Sequence, residues 1–202
     1  MLFRSDIFHQ VQSVLQPVFK ELPFSLAEEN IQARIRGTLL MAMANKFNYV
    51  LLNTTNKSEC AVGYGTLYGD MAGGLSVLGD VYKTQVYALA NYINRTREII
   101  PHAVIEKAPS AELRPEQKDS DSLPPYELLD AILFQYIDCC NGREAMLQMG
   151  TDASLLDRIL NLVNRSEYKR NQFCPVLRVS EKSFGIGRRL PVVARYTSGS
   201  PS

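Results

Sequence analysis

The stretch Tyr49-Val50-Leu51-Leu52-Asn53-Thr54-Thr55-Asn56-Lys57-Ser58-Glu59 joins four apolar residues to a hydroxyl-rich loop. A compact apolar run after a helix and before polar residues is how a strand buried inside a parallel sheet reads. The loop at the carboxyl end of such a strand is where open α/β sheets place their ligands. Two readings of that loop stand together. Glu59 can hold a hard cation such as Mg²⁺ beside phosphate oxygens. Alternatively, Thr54 or Thr55 caps the next helix and Glu59 is a solvated carboxylate of its first turn.

Upstream, Ser25 precedes Glu28 by three, the signature of a capping box, and Ile31, Ile35, Leu39 and Ala42 form the apolar stripe of a long helix over 27–46. Asn30 and Arg34 lie on its other face. Before it, Ile7, Val11, Val14, Leu15 and Val18 predict a helix that Pro17 ends or bends.

Downstream, six of the 12 glycines fall between positions 53 and 80. Such density suits either close approach of backbone to a ligand or tight packing of helices and turns. Lys83-Thr84 then opens a helix over 83–94 with Val86, Leu89, Ala90 and Ile93 on one side. A lysine there can reach a phosphate while the free amides of the helix start share its charge. Residues 104–107 read as another short strand. Residues 108–125, with four of the ten prolines, read as a long irregular surface loop. Pro125 can start a helix running through Tyr136, and further helices are expected over 144–149 and 153–163. Glu167-Tyr168-Lys169-Arg170 follows, where cations suit a helix C-terminus on dipole grounds alone. No internal repeat or domain boundary interrupts the chain.

Composition narrows the function. The 202 residues are 46% hydrophobic and 21% charged, which excludes disordered, collagen and coiled-coil classes. The 22 Lys and Arg against 21 Asp and Glu leave a net charge of +1, so no basic field drives nucleic-acid or membrane-surface binding. Any polyanion must be gripped locally. Four cysteines without a Cys-x-x-Cys pair and two histidines do not build a structural zinc site. No apolar run approaches the ~20 residues that span a bilayer, and no signal-peptide pattern opens the chain. A cytoplasmic location is the expectation.

Glu29-Asn30-Ile31-Gln32-Ala33-Arg34-Ile35-Arg36-Gly37, Asn56-Lys57-Ser58-Glu59 and Thr66-Leu67-Tyr68-Gly69-Asp70-Met71-Ala72-Gly73-Gly74 occur in that order. Ala108-Pro109-Ser110-Ala111-Glu112-Leu113-Arg114-Pro115, Gln117-Lys118-Asp119, Asp121-Ser122-Leu123-Pro124-Pro125-Tyr126 and Glu167-Tyr168-Lys169-Arg170 follow. Together these strings closely resemble the synthetase domain of NAD synthases, especially the bacterial glutamine-dependent type, over residues 25–196. Several independent strings in the same order make the resemblance specific.

The resemblance implies an α/β fold, a doubly wound parallel sheet of the adenine nucleotide alpha-hydrolase-like (ATP pyrophosphatase) type. It implies ATP-dependent amidation of deamido-NAD to NAD through an acyl-adenylate, with AMP and pyrophosphate released. Thr54, Lys83 and Ser110 would contact ATP. Asn30, Arg34, Glu59, Asp70, Tyr168 and Lys169 would hold deamido-NAD, Arg34 across a homodimer interface. Glu59 would also lie beside Mg²⁺, and no protein nucleophile is required.

Three positions depart from that pattern: Thr55 stands for an expected Gly, and Gly79 and Tyr82 stand for an expected Lys and Pro. The family's phosphate loop, Ser-Gly-Gly-x-Asp-Ser, occurs nowhere in the 202 residues, nor does the glutaminase domain that would supply ammonia. Residues 1–196 therefore read as a partial ligase domain without its first strand and phosphate loop, and 197–202 as a frayed tail. A fragment of a longer enzyme, a chain whose partner supplies the loop, and a non-catalytic dinucleotide-binding or dimerising module are the alternatives.

Overall fold

The computed structural model describes residues 4–111, 113 and 116–193. The expected tail at 197–202 lies outside the described residues, as do Glu112, Arg114 and Pro115 of the quoted motif. Helix α1 (Arg4–Phe19) carries Pro17 in its last turn, as its sequence predicts. Helix α2 (Leu26–Phe47) starts on the expected capping box: the Ser25 amide donates to Glu28 Oε2 (2.7 Å) and the Ala27 amide to Ser25 Oγ (3.2 Å). It ends at Asn48, whose left-handed φ of 56° releases the chain toward the sheet.

The buried face of α2 is not the expected stripe. Glu28, Gln32, Ala33, Ile35, Gly37 and Ala44 face inward, whereas Ile31 and Leu39 are half-buried and Ala42 is exposed. Besides its contact with α1, the helix packs on a glycine-containing turn, and small residues win where backbone meets backbone. A Cβ on Gly69 would stand 2.9 Å from the Ala33 carbonyl carbon, and one on Gly37 would stand 3.0 Å from the Gly69 carbonyl oxygen.

Strand β1 (Leu52–Asn53) pairs in parallel with β2 (Leu75–Ser76), in the register Leu52 to Leu75 and Asn53 to Ser76. Ser76 also bridges Val176 in parallel. The strand expected over 49–52 thus shifts toward the loop, and it is not buried: Tyr49 and Val50 are 69% and 70% exposed. Among the described residues nothing pairs with the other edge of β1, so its apolar run is uncovered.

Helix α3 (Lys57–Val62) is capped by Asn56, not by Thr54 or Thr55: Glu59 N donates to Asn56 Oδ1 (3.0 Å) and Asn56 N to Glu59 Oε2 (3.1 Å). Its end at Gly63, φ 69°, is a turn that a side chain would strain, and a Cβ there would also strike Ser166. Helix α4 (Lys83–Ile93) keeps its expected span, although Leu89 and Ile93 are exposed. The strand expected over 104–107 is instead part of helix α5 (His102–Glu106). Pro101 fixes its start, and the Val104 amide closes on the Pro101 carbonyl (2.9 Å). The β-branched pair at 104–105 has no strand beside it to pair with.

The 108–125 segment is packed and not simply laid on the surface. Gln32 Nε2 holds the Leu113 carbonyl (2.9 Å), the Asp119 amide holds the Pro109 carbonyl (2.9 Å), and Leu113, Asp119 and Leu123 are buried. Helix α6 (Tyr126–Leu133) runs on into one π turn, Phe134–Asp138, and is followed by α7 (Arg143–Gln148), α8 (Ala153–Arg165) and the single turn α9 (Glu167–Arg170). Ala61 of α3, Leu129 and Leu133 of α6, and Ile159 and Val163 of α8 form the dry centre. No helix among the described residues is long and apolar enough to cross a membrane.

One polar cluster is built into this core. The Lys57 ammonium, 1% exposed, lies 3.1 Å from Asp80 Oδ1 and 3.0 Å from Asp138 Oδ1. It also donates to Ser180 Oγ (3.1 Å) and sits 4.9 Å above the Tyr82 ring, whose hydroxyl donates to Asp138 Oδ2 (2.6 Å). Asp80 accepts from the Ser180 amide (2.7 Å), the Val179 amide (2.9 Å) and Ser180 Oγ (2.8 Å). Burial alone would raise the Asp80 pKa, but the Ser180 and Val179 hydrogen bonds and the Lys57 contact outweigh it and hold it below the usual value.

Lys57→Met leaves the buried Asp80 and the partly buried Asp138 without their cation and is expected to cost about 3–5 kcal/mol in denaturant titration. An unchanged midpoint contradicts this. Because the Asp80 pKa is depressed on folding, its contribution is present above the ordinary value of 3.8 and lost as pH falls below it. In Asp80→Asn, the loss of stability measured between pH 5 and pH 2.5 is expected to be smaller than in the unsubstituted chain.

Candidate functional site

The end of β1 and the start of α3 form the floor of a cleft of about 310 Å³. Thr54, Glu59, Asp70, Lys83, Ser110 and Asp119 lie on its walls. A second cleft, of about 180 Å³, is bordered by Asn30, Asp70, Gln117 and Lys169. Tyr64, Asp70 and Ala111 belong to both, so the two spaces adjoin.

The first cleft takes its shape from backbone held by buried side chains. Asn53 Nδ2 donates to the carbonyls of Asp70 (2.7 Å) and Ala72 (3.1 Å), and its Oδ1 accepts from the Thr55 amide (2.9 Å). The end of the strand is thereby tied to the glycine-containing turn. Linking α3, α4 and α6, Asp130 accepts from Ser58 Oγ (2.5 Å), the Thr84 amide (2.9 Å) and Thr84 Oγ1 (2.8 Å). Ser58 Oγ in turn accepts from the Lys83 amide (2.9 Å). The first amides of α4 are therefore satisfied internally and are not free for an anion, contrary to the expectation from sequence. What α4 presents to the cleft is the Lys83 side chain.

Lys83 Nζ lies 3.5 Å from Glu59 Oε1 and 5.4 Å from the centre of the Tyr126 ring. Burial raises the Glu59 pKa, against the attraction of Lys83. Glu59 is thus not the solvated carboxylate of the alternative reading, although it does complete the cap on α3. Asp119 is 4% exposed, accepts from the Tyr126 hydroxyl through Oδ2 (2.7 Å), and leaves Oδ1 without a hydrogen-bond partner.

In the second cleft Thr66 is central: its hydroxyl donates to Asn30 Oδ1 (2.7 Å) and its amide to Asp70 Oδ1 (2.6 Å). The Lys169 ammonium donates to the carbonyls of Gly63 (2.6 Å) and Gly65 (2.7 Å), so it straps the turn while bordering the cleft. Burial lowers its pKa and raises that of Asp70, each opposed by the other's charge. Arg34 and Tyr168 line neither cleft. Arg34 is exposed and donates through Nε to the Leu67 carbonyl (3.2 Å), and Tyr168 is exposed on α9. A third cleft, of about 300 Å³, lies between α9 and the segment after it, beside Cys60, Cys174 and Phe184. Burial pushes the Cys60 thiol up to about 12, which leaves it a poor nucleophile.

The short parallel ladder, the helices around it and the cleft at the strand end are those of an α/β domain of the adenine nucleotide alpha-hydrolase-like type. The NAD synthase family model matches residues 3–173, and the chain belongs to that family. It is 50% identical over 182 residues to a glutamine-dependent NAD(+) synthetase of Synechocystis sp., covering 90% of this chain and 33% of the relative. Among solved structures, the ADP complex of the glutamine-dependent NAD+ synthetase from Acinetobacter baumannii superposes with TM-score 0.50 and 42% identity, covering 96% of this chain and 35% of the other. The enzyme from Cytophaga hutchinsonii shares the fold with TM-score 0.73 at 22% identity, over 94% of this chain and 33% of its own. The chain spans about a third of the length of the relatives it matches.

Sequence reasoning missed Asn53, Asp130 and Asp119 as builders of the site. Asn53 and Asp130 are polar residues beside apolar runs and Asp119 lies in a polar stretch, patterns with no periodic signature of their own. Asp130→Ala leaves two backbone or hydroxyl donors at the head of α4 unpaired and is expected to cost about 1–3 kcal/mol in thermal unfolding. A change within a few tenths of a kcal/mol contradicts the capping role.

Proposed function

We propose that the two adjoining clefts are the ATP and deamido-NAD sites of an NAD-forming ligase, and that residues 1–196 make up part of its synthetase domain. The observation that carries this reading is the convergence of Thr54, Lys83 and Ser110 on one cleft and of Asn30 and Lys169 on its neighbour, with Asp70 on their common wall. The reaction joins the two ligands at one point, so adjoining sites are what it requires.

In the first half-reaction an oxygen of the nicotinic acid carboxylate attacks the α-phosphorus of ATP, and pyrophosphate leaves. In the second, ammonia attacks the acyl carbon, loses a proton, and AMP leaves with the C–O bonding pair. Neither step needs a protein nucleophile; both need orientation and neutralised charge. Lys83, held loosely by Glu59, is free to turn toward a phosphate. The partly buried Lys169 supplies positive charge beside the dinucleotide cleft. Glu59 would hold Mg²⁺, which when bound neutralises phosphate charge. Asp119, which lines the same cleft and has one carboxylate oxygen without a hydrogen-bond partner, adds negative charge there and supports this reading.

Arg34 and Tyr168, exposed outside both clefts, would reach deamido-NAD from a second copy of the chain or on closure of α9. Homodimerisation, ammonia supply by a glutaminase and a cytoplasmic setting complete the proposal. The phosphate loop Ser-Gly-Gly-x-Asp-Ser does not occur among the 202 residues, so the chain alone is expected to bind nucleotides without forming NAD.

Calorimetric titration with ATP and with deamido-NAD tests the assignment. Lys83→Met is expected to weaken ATP by about 10- to 100-fold, the worth of a hydrogen bond to a charged group, and to leave deamido-NAD within about twofold. Equal losses for both ligands, or none for either, contradict it.

A further inference from the structure

We propose that Asp130 is a positioning residue for ATP: from inside the protein it aims the Lys83 side chain into the larger cleft without touching the nucleotide. The inference rests on the nucleotide reading of that cleft and adds a residue that the resemblance does not assign.

Asp130 is buried on α6 and lines neither of the two clefts. Its carboxylate grips a chain neighbour of each of two cleft charges. Oδ1 accepts from the hydroxyl of Ser58, the residue before Glu59, and Oδ2 from the amide and hydroxyl of Thr84, the residue after Lys83. The Lys83 amide donates to Ser58 Oγ (2.9 Å), which leaves the single hydrogen of that hydroxyl to Asp130. Lys83 is thus held twice, by its own amide through Ser58 and by the next amide directly. One turn before Asp130, on the same face of α6, the centre of the Tyr126 ring lies 5.4 Å from the Lys83 ammonium. A single helix therefore fixes where the lysine backbone sits and what its ammonium rests against, while the ionic contact with Glu59, at 3.5 Å, stays loose.

The arrangement does more than cap α4. Three donors converge on one buried carboxylate, so the first turn of α4 cannot rotate without stripping a buried polar group of its partners. A lysine on a fixed backbone has fewer conformations to lose when it meets a phosphate, which is what a rigid supporting shell contributes to binding. Asparagine cannot do the same work. Turned one way it sets an NH₂ against the Thr84 amide, and turned the other it leaves the Ser58 hydroxyl hydrogen without an acceptor. The substitution also removes a negative charge, which by itself favours a polyanion such as ATP. A loss of ATP affinity is therefore the mark of a misplaced Lys83, opposite in sign to the effect of charge.

The test is a double-mutant cycle read by calorimetric titration of the 202-residue chain with ATP and with deamido-NAD, each variant held well below its own unfolding midpoint by circular dichroism. Asp130→Asn is expected to weaken ATP by about fivefold or more, though by no more than Lys83→Met does, and to leave deamido-NAD within about twofold. In the Lys83→Met background the same substitution is expected to change ATP affinity by less than about twofold, because its effect runs through that lysine. Glu127→Gln, which removes a charge from the exposed side of α6, is expected to stay within about twofold for both ligands. ATP bound by Asp130→Asn as tightly as by the unsubstituted chain, or more tightly, overturns the inference and leaves the nucleotide reading standing. So does a loss of equal size with and without Lys83, which a merely structural role would give. Failure of Lys83→Met to weaken ATP overturns the nucleotide reading and this inference with it. Should Asp130→Asn not fold, Ser58→Ala takes its place: it frees the Lys83 amide and is expected to weaken ATP at least about threefold, again only when Lys83 is present. Undiminished ATP affinity in Ser58→Ala overturns the inference.

Discussion

The buried ammonium of Lys57 is the constraint on which the rest of the structure depends. A lysine taken out of water is tolerated only when its charge and its donors are met, and here Asp80, Asp138 and Ser180 meet them from three separate segments. Those contacts fix the start of α3 against the loop before α4, the π turn after α6 and the segment beyond α9. Glu59 follows Lys57 by two residues on α3, and Lys83 follows Asp80 by three, so the cluster helps to set the distance between Glu59 and Lys83, two of the charged groups on the larger cleft. Structure is spent on polar pairing just beneath a site that must itself stay polar and partly open.

A second device works at the surface of contact between α2 and the glycine-containing turn. Gly37 and Gly69 allow backbone to approach backbone, and Thr66 and Asp70 are thereby held against Asn30. The smaller cleft is consequently shaped in part by main chain and by Lys169 reaching two carbonyls, beside the side chains of Leu26, Tyr64 and Leu113. This explains how one short segment, 63–70, can contribute walls to both clefts.

Much of this was legible in the sequence where the signal is local. The capping box at Ser25 and Glu28, the helix opening at Lys83 and the helix over Ala153–Arg165 are set by caps and by periodicity, which act within a few residues. The ordered motif strings pointed to the residues that line the clefts. What failed was non-local. Apolar residues at 49–52 read as a buried strand, but burial depends on neighbours that a run of four residues does not specify. Val104 and Ile105 favour a strand only when another strand is present to receive them. The partners of Lys57 lie 23, 81 and 123 positions away, and Tyr82, standing where the resemblance expects proline, joins the cluster through a hydroxyl that no local pattern predicts. Nor could the sequence tell that the amides at the head of α4 are consumed by Ser58 and Asp130.

The central claim is that the two clefts meeting at Asp70 are one composite site for a nucleotide and a dinucleotide. A crystal structure of the 202-residue chain with a non-hydrolysable ATP analogue and deamido-NAD tests it most directly. The account predicts triphosphate density beside Lys83 and dinucleotide density between Asn30 and Lys169, the two approaching each other at Asp70. Either ligand seated instead in the cleft beside Cys60 and Phe184, or the two ligands in separate places with Asp70 in contact with neither, would contradict it.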